Sequence, residues 1–102
     1  MVDALLAATA DAAVGRIYNV GNRYAHSLSE IAALLVEAVG GEVPIGYVGW
    51  PDDHHRIDIG SFKTDSGRIA AELGWMSSID IAVGLKQTVA FYEENPWYLS
   101  ST

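Results

Sequence analysis

The sequence predicts a small α/β unit of about four helices and two or three short strands, with residues 1–102 forming a single domain. Two patterns carry that expectation: apolar residues recurring at three- and four-residue spacing behind helix-capping side chains, and short β-rich runs closed by glycine or proline. The chain has 102 residues, which fits one domain, and half of them are apolar, so a core is expected. Trp50, Trp75, Trp97 and the five tyrosines are its expected large members.

Val2, Leu5, Leu6 and Thr9 share a helical face, so residues 2–12 read as a short amphipathic helix that stops near Gly15. The chain begins inside that pattern with no capping residue ahead of it, as a truncated protein would. Arg16 to Val20 is a β-type run closed by Gly21-Asn22, the first expected strand. Ser27 stands three residues before Glu30, the spacing at which hydroxyl and carboxylate satisfy each other's free amides at a helix start. Leu28, Ile31, Leu35, Ala38 and Val39 then mark the apolar face, and Gly40-Gly41 ends the helix.

Pro44 to Val48 reads as a second strand, with proline tolerated at its first position. The polar stretch Gly49-Trp50-Pro51-Asp52-Asp53-His54-His55 is expected to be a loop, followed by a third short strand near Arg56 to Ile59. Asp65 is placed to cap a short helix carrying Ile69, Ala70 and Leu73, with Gly74 as its left-handed terminus. Asp80 is placed to cap a longer one, where Ile81, Leu85, Thr88, Val89 and Tyr92 share a face until Asn95-Pro96. Gly84 inside it reads as a point of close packing. The tail from Trp97 is expected to be loose unless Trp97 and Tyr98 dock.

Six basic against thirteen acidic residues give a net charge of −7, which repels polyanions and argues against a nucleic-acid partner. The absence of cysteine rules out disulfides and thiolate zinc sites and fits a reducing compartment. No apolar run approaches about 18 residues, and the Ala-rich start lacks a signal peptide's basic region, so a cytoplasmic protein without a membrane partner is expected.

Asp52, Asp53, His54, His55 and Asp58 include metal-ligating types, but neighbours on an extended segment point to opposite sides, so a solvated acidic loop is expected and no metal. No serine lies in a nucleophile elbow, and no cysteine is present to act as nucleophile, so no catalytic residue is assigned. Gly21 alone follows a strand-like run and precedes a helix; Gly-x-Gly-x-x-Gly occurs nowhere, and no cofactor is expected in this chain. Arg56, the basic residue within the acidic loop, is either an ion-pair partner or a clamp for a diphosphate through its paired N–H donors.

Gly15-Arg16-Ile17-Tyr18-Asn19-Val20-Gly21, the Ser27-Leu28-Ser29-Glu30-Ile31-Ala32 helix start, Arg56-Ile57-Asp58-Ile59-Gly60, Asp65, Leu73-Gly74-Trp75 and Gly84-Leu85-Lys86-Gln87-Thr88 occur in this order over nearly all of the chain. Together they resemble the C-terminal, substrate-binding portion of the extended short-chain dehydrogenase/reductase family, the NAD-dependent sugar-nucleotide epimerases and dehydratases. The resemblance implies a substrate-facing lobe that closes over a nucleotide-diphospho-sugar while an N-terminal Rossmann domain, absent from this sequence, holds NAD. It places substrate contacts at Arg56, Trp50 and His55. The family's Tyr-x-x-x-Lys pair has no counterpart, since no tyrosine here is followed by lysine four residues later. In place of the family's Arg-Pro-Gly-Asp stands Trp50-Pro51-Asp52-Asp53, and Gly67-Arg68 replaces Ser-Lys. The expected function is nucleotide-sugar binding without turnover, the alternative a self-associating module, a homodimer, derived from the same lobe. A separate Rossmann partner is the third arrangement the resemblance implies.

Overall fold

The computed structural model describes residues 1–100, the side chain of His55 excepted. Five α-helices and two 3₁₀ helices are formed among the described residues, and no strand. They fall into two units, one made of Met1–Ala25 and Ile59–Ser78, the other of His26–Asp58 and the chain from Ile79 onward.

In the first unit the helix expected over 2–12 is shorter. Helix α1 runs Val2–Ala7 and is followed by a 3₁₀ turn at Asp11–Ala13. The Thr9 hydroxyl donates to the Leu6 carbonyl at 2.7 Å, which satisfies a helix-end acceptor locally instead of extending the ladder. Helix α3, Gly67–Leu73, opens after Asp65, whose Oδ1 accepts the Gly67 N–H at 2.8 Å, and closes at Gly74 with φ +70°. That left-handed backbone is the reason glycine stands there. Helix α3 packs on the 3₁₀ turn, and Ile69 on the one and Ala13 on the other are buried, together with Ala4 of α1. Ile69 is 1% exposed, a burial that contributes roughly 2–3 kcal/mol.

In the second unit helix α2, Leu28–Ala38, has the reciprocal cap that its sequence predicts. The Glu30 N–H donates to Ser27 Oγ at 3.1 Å and the Ser27 N–H to Glu30 Oε2 at 2.7 Å. Gly40 and Gly41, at φ +108° and +78°, end it. Helix α4, Ile81–Glu94, starts from Asp80, whose Oδ1 accepts the Ala82 N–H at 3.2 Å. The two helices pack together, and Ile31, Leu34 and Ala38 on α2 and Ile81, Leu85 and Val89 on α4 are half-buried. Leu28 and Leu35, expected on the inner face, are exposed. The tail is ordered as helix α5, Trp97–Ser100, with Tyr98 centred 5.6 Å from Phe91 and 5.7 Å from Trp97.

The α/β expectation is therefore corrected: among the described residues the protein is all-helical. Val, Ile and Tyr favour a sheet only where a neighbouring strand supplies the ladder and the packed face. None of the three expected strands finds one. Arg16–Val20 is held to α3 by side chains, with Arg68 Nη1 donating to the Ile17 carbonyl at 3.4 Å. In the 44–48 run Val48 is 93% exposed. Arg56 ends a 3₁₀ helix, Asp52–Arg56, in the stretch expected to be loop, and Ile57 at φ −109°, ψ −3° breaks the third run. The expected aromatic core is also absent: no described tryptophan or tyrosine is buried.

Candidate functional site

Gly21 brings the chain into contact with the segment leading into α3. A Cβ at Gly21 would lie 2.8 Å from Thr64 Cβ, and Ser66 Oγ donates to the Gly21 carbonyl at 3.3 Å. These contacts hold residues 63–67 beside the 21–24 turn and frame a cleft of about 540 Å³ within the first unit. Arg23 and Lys63 provide its cations, the hydroxyls of Thr64, Ser66 and Ser77 its neutral polar groups, and Ala70 and Met76 an apolar wall. Asp65 lines it too, with one oxygen engaged by the Gly67 N–H.

Beneath α3 lies a charged cluster. Glu72 Oε1 is 3.4 Å from Arg16 Nε and accepts the Tyr18 hydroxyl at 3.3 Å, while Oε2 is 3.9 Å from Arg68 Nε. Loss of water and the Glu72 carboxylate raise the Tyr18 phenol above its ordinary 10.0, and Arg16 and Arg68 partly oppose the shift.

The residues that the sequence points to lie in the second unit, on the 3₁₀ helix Asp52–Arg56 and just before it. Trp50 is half-exposed and meets His54 edge-to-face at 6.3 Å between centroids. Arg56 is exposed and makes no ion pair among the described residues, although Asp52, Asp53 and Asp58 are near in sequence. The side chain of His55 lies outside the described ones, so the three are not seen gathered around one point. Among the described residues no group of three or more His, Asp or Glu side chains is placed to hold a metal ion. The cleft was missed by the sequence reading because Arg23 and Lys63 are far apart in the chain; the polar run Lys63-Thr64-Asp65-Ser66 ahead of a helix is the signal that could have found it.

Over 79% of its length the chain is 38% identical to a dTDP-glucose 4,6-dehydratase of Streptomyces griseus and 30% identical to one of an Actinoplanes species. Both matches fall in the C-terminal part of those proteins. The chain is thus similar to the C-terminal part of proteins of the extended short-chain dehydrogenase/reductase family. It spans about a quarter, 24%, of the length of these curated relatives, and so corresponds to a partial sugar-nucleotide dehydratase-like region of an extended short-chain dehydrogenase/reductase. No family model and no solved structure matches it.

NAD is the cofactor that this family implies, and the residues present do not fit it. A dinucleotide site needs a glycine whose open face lets the pyrophosphate approach the backbone. At Gly21 that face is filled by Thr64, so this glycine serves internal packing. Among the described residues no helix is long and apolar enough to cross a membrane.

Proposed function

We infer that this extended short-chain dehydrogenase/reductase region is a nucleotide-diphospho-sugar-binding lobe that does not turn substrate over by itself. The observation that carries the reading is the match to the C-terminal part of two dTDP-glucose 4,6-dehydratases. Exposed Arg56 supports it, since a guanidinium with no carboxylate partner among the described residues keeps its paired donors for a diphosphate. Trp50, half-exposed just ahead of the 3₁₀ helix that Arg56 ends, is proposed to offer a ring face to a base or sugar, and His55 completes the proposed contact set. Chemistry on the sugar needs the nicotinamide and the Tyr-x-x-x-Lys pair, which a Rossmann domain would bring; the residues here bind and orient only.

The test is a thermal-shift titration with dTDP-glucose. Ligand at about 100 times its Kd stabilises the native state by about 2.7 kcal/mol, a readily measured rise in Tm. The expected result is a rise that Arg56→Ala abolishes, with no change in nicotinamide absorbance when NAD is added. No rise with any nucleotide-sugar would remove the binding reading, and turnover by the chain alone would remove the other half.

A specific observation favours a second reading, self-association. Only Ala4, Ala13 and Ile69 are buried hydrophobic residues among those described, whereas Leu5, Leu6, Ile17, Tyr47, Val48, Ile59 and Phe62 are among the many exposed. Apolar surface on this scale is characteristic of a surface that meets another protein, and a symmetric homodimer is the commonest arrangement; a Rossmann domain is the partner that the family offers instead.

A further inference from the structure

The first unit carries four basic side chains, and the structure divides them into two kinds. Arg16 and Arg68 both lie within 4 Å of Glu72, at 3.4 and 3.9 Å. Arg23 and Lys63 have no carboxylate at ion-pair distance among the described residues, and both line the cleft beside α3. The guanidinium of Arg23 lies 5.7 Å from the centre of the Tyr24 ring, a contact with the π face that leaves its N–H edge available.

Charge is divided just as unevenly along the chain. Arg16, Arg23, Lys63 and Arg68 balance Asp3, Asp11, Asp65 and Glu72 in the first unit. The second unit has Arg56 and Lys86 against Glu30, Glu37, Glu42, Asp52, Asp53, Asp58, Asp80, Glu93 and Glu94, so it carries the whole net charge of −7. The first unit therefore sets no net charge against an anion, and a cation in the second has to act locally against the surrounding carboxylates. In the neutral one, the two cations without carboxylate partners open onto the same cavity.

We propose that this cleft binds the phosphate of a small phosphate ester, with Arg23 and Lys63 as its cationic clamp. Two cations against the single carboxylate of Asp65 leave the cleft positive, and Thr64 and Ser77 add hydroxyl donors to phosphate oxygens. A volume of about 540 Å³ is more than a bare phosphate fills and lies in the range of small-molecule sites. Ala70 and Met76 give the remainder an apolar wall, so the ester's organic part contributes to binding. The site stands apart from the Arg56 reading and does not depend on it, because every group it uses belongs to the first unit.

The test is an amide chemical-shift titration of the full chain at fixed ionic strength, with inorganic phosphate in one series and phenyl phosphate in another. Shifts centred on Arg23 and on residues 63–67 and 76–77 are expected, saturating at lower concentration with phenyl phosphate. Arg23→Gln and Lys63→Gln each weaken binding by about fivefold, the effect of one exposed charge pair, whereas Lys63→Arg retains it. Lys86→Gln, which removes an exposed cation of the second unit, leaves both titrations unchanged, which separates this site from a general response to lost charge. Equal affinity for inorganic phosphate and phenyl phosphate would overturn the organic part of the proposal. Shifts that chloride reproduces, or that persist in the Arg23→Gln/Lys63→Gln double variant with unchanged affinity, would overturn the site.

Discussion

Gly21 and Glu72 show how single residues do here what a sheet was expected to do. A methyl group at Gly21 has nowhere to go, because Thr64 Cβ and Cγ2 lie 2.8 and 2.9 Å from where it would sit. Gly21→Ala is expected to cost about 1–3 kcal/mol, the range for forced overpacking, read as a lowered urea midpoint with an unchanged slope. Thr64→Ser in the same background removes the clashing methyl group and should recover part of the loss. At Glu72, the raised phenol of Tyr18 makes stability pH-dependent. The folded state holds this proton more tightly than the unfolded one, so the contribution is fully present below about pH 10 and is lost as pH rises through the raised folded value. Melting curves across the alkaline range should fall more steeply for the native chain than for Tyr18→Phe; superimposable slopes would show that the phenol is not coupled to folding.

At the scale of elements, what could be read from sequence is what is decided locally. The Ser27/Glu30 box, the Asp80 cap and the left-handed stops at Gly40, Gly41 and Gly74 each depend on residues within one or two turns, and all form as expected. That the expected strands do not form was not legible, because pairing depends on a partner run elsewhere, which the residues of Arg16–Val20 or Pro44–Val48 cannot specify. The cleft escaped for the same reason: Gly21 and Arg23 meet Lys63 and Thr64 only through contacts across the chain, the Gly21–Thr64 approach and the Ser66 hydroxyl on the Gly21 carbonyl. Gly84 is a different case. Its sequence position implies close packing, yet a Cβ there would meet only Ile79 Cγ2, at 3.7 Å, an ordinary contact. Gly84→Ala is therefore expected to stabilise by up to about 1 kcal/mol through helix propensity, measured as a higher Tm. A loss of stability would show that the α2 side of α4 is tighter than the structure has it. Ser27→Ala should lower stability by about 1 kcal/mol in the same assay, since it removes the acceptor for the Glu30 N–H.

For the whole molecule, the ratio of covered to uncovered apolar side chains governs behaviour in solution. Among the described residues three small or medium hydrophobic ones are buried, none of them on α2 or α4, while large ones on every α-helix except α3 stay in contact with water. Hydrophobic burial is the main term opposing chain entropy, so a monomer with this core should melt at low temperature, with a small denaturant slope for its length. Association would cover part of that surface and stabilise the native state by mass action, making Tm depend on protein concentration. The net charge of −7 opposes it, so salt that screens the carboxylates should favour it. The expected outcome is a Tm that rises over a tenfold increase in protein concentration and rises further at higher ionic strength, with sedimentation showing a dimer over the same range. A sedimenting monomer at micromolar concentration, with a Tm independent of both variables, would rule out self-association. The exposed helix faces would then have to be matched to a different partner, tested by adding a separately expressed Rossmann domain from a dTDP-glucose 4,6-dehydratase and reading the same Tm.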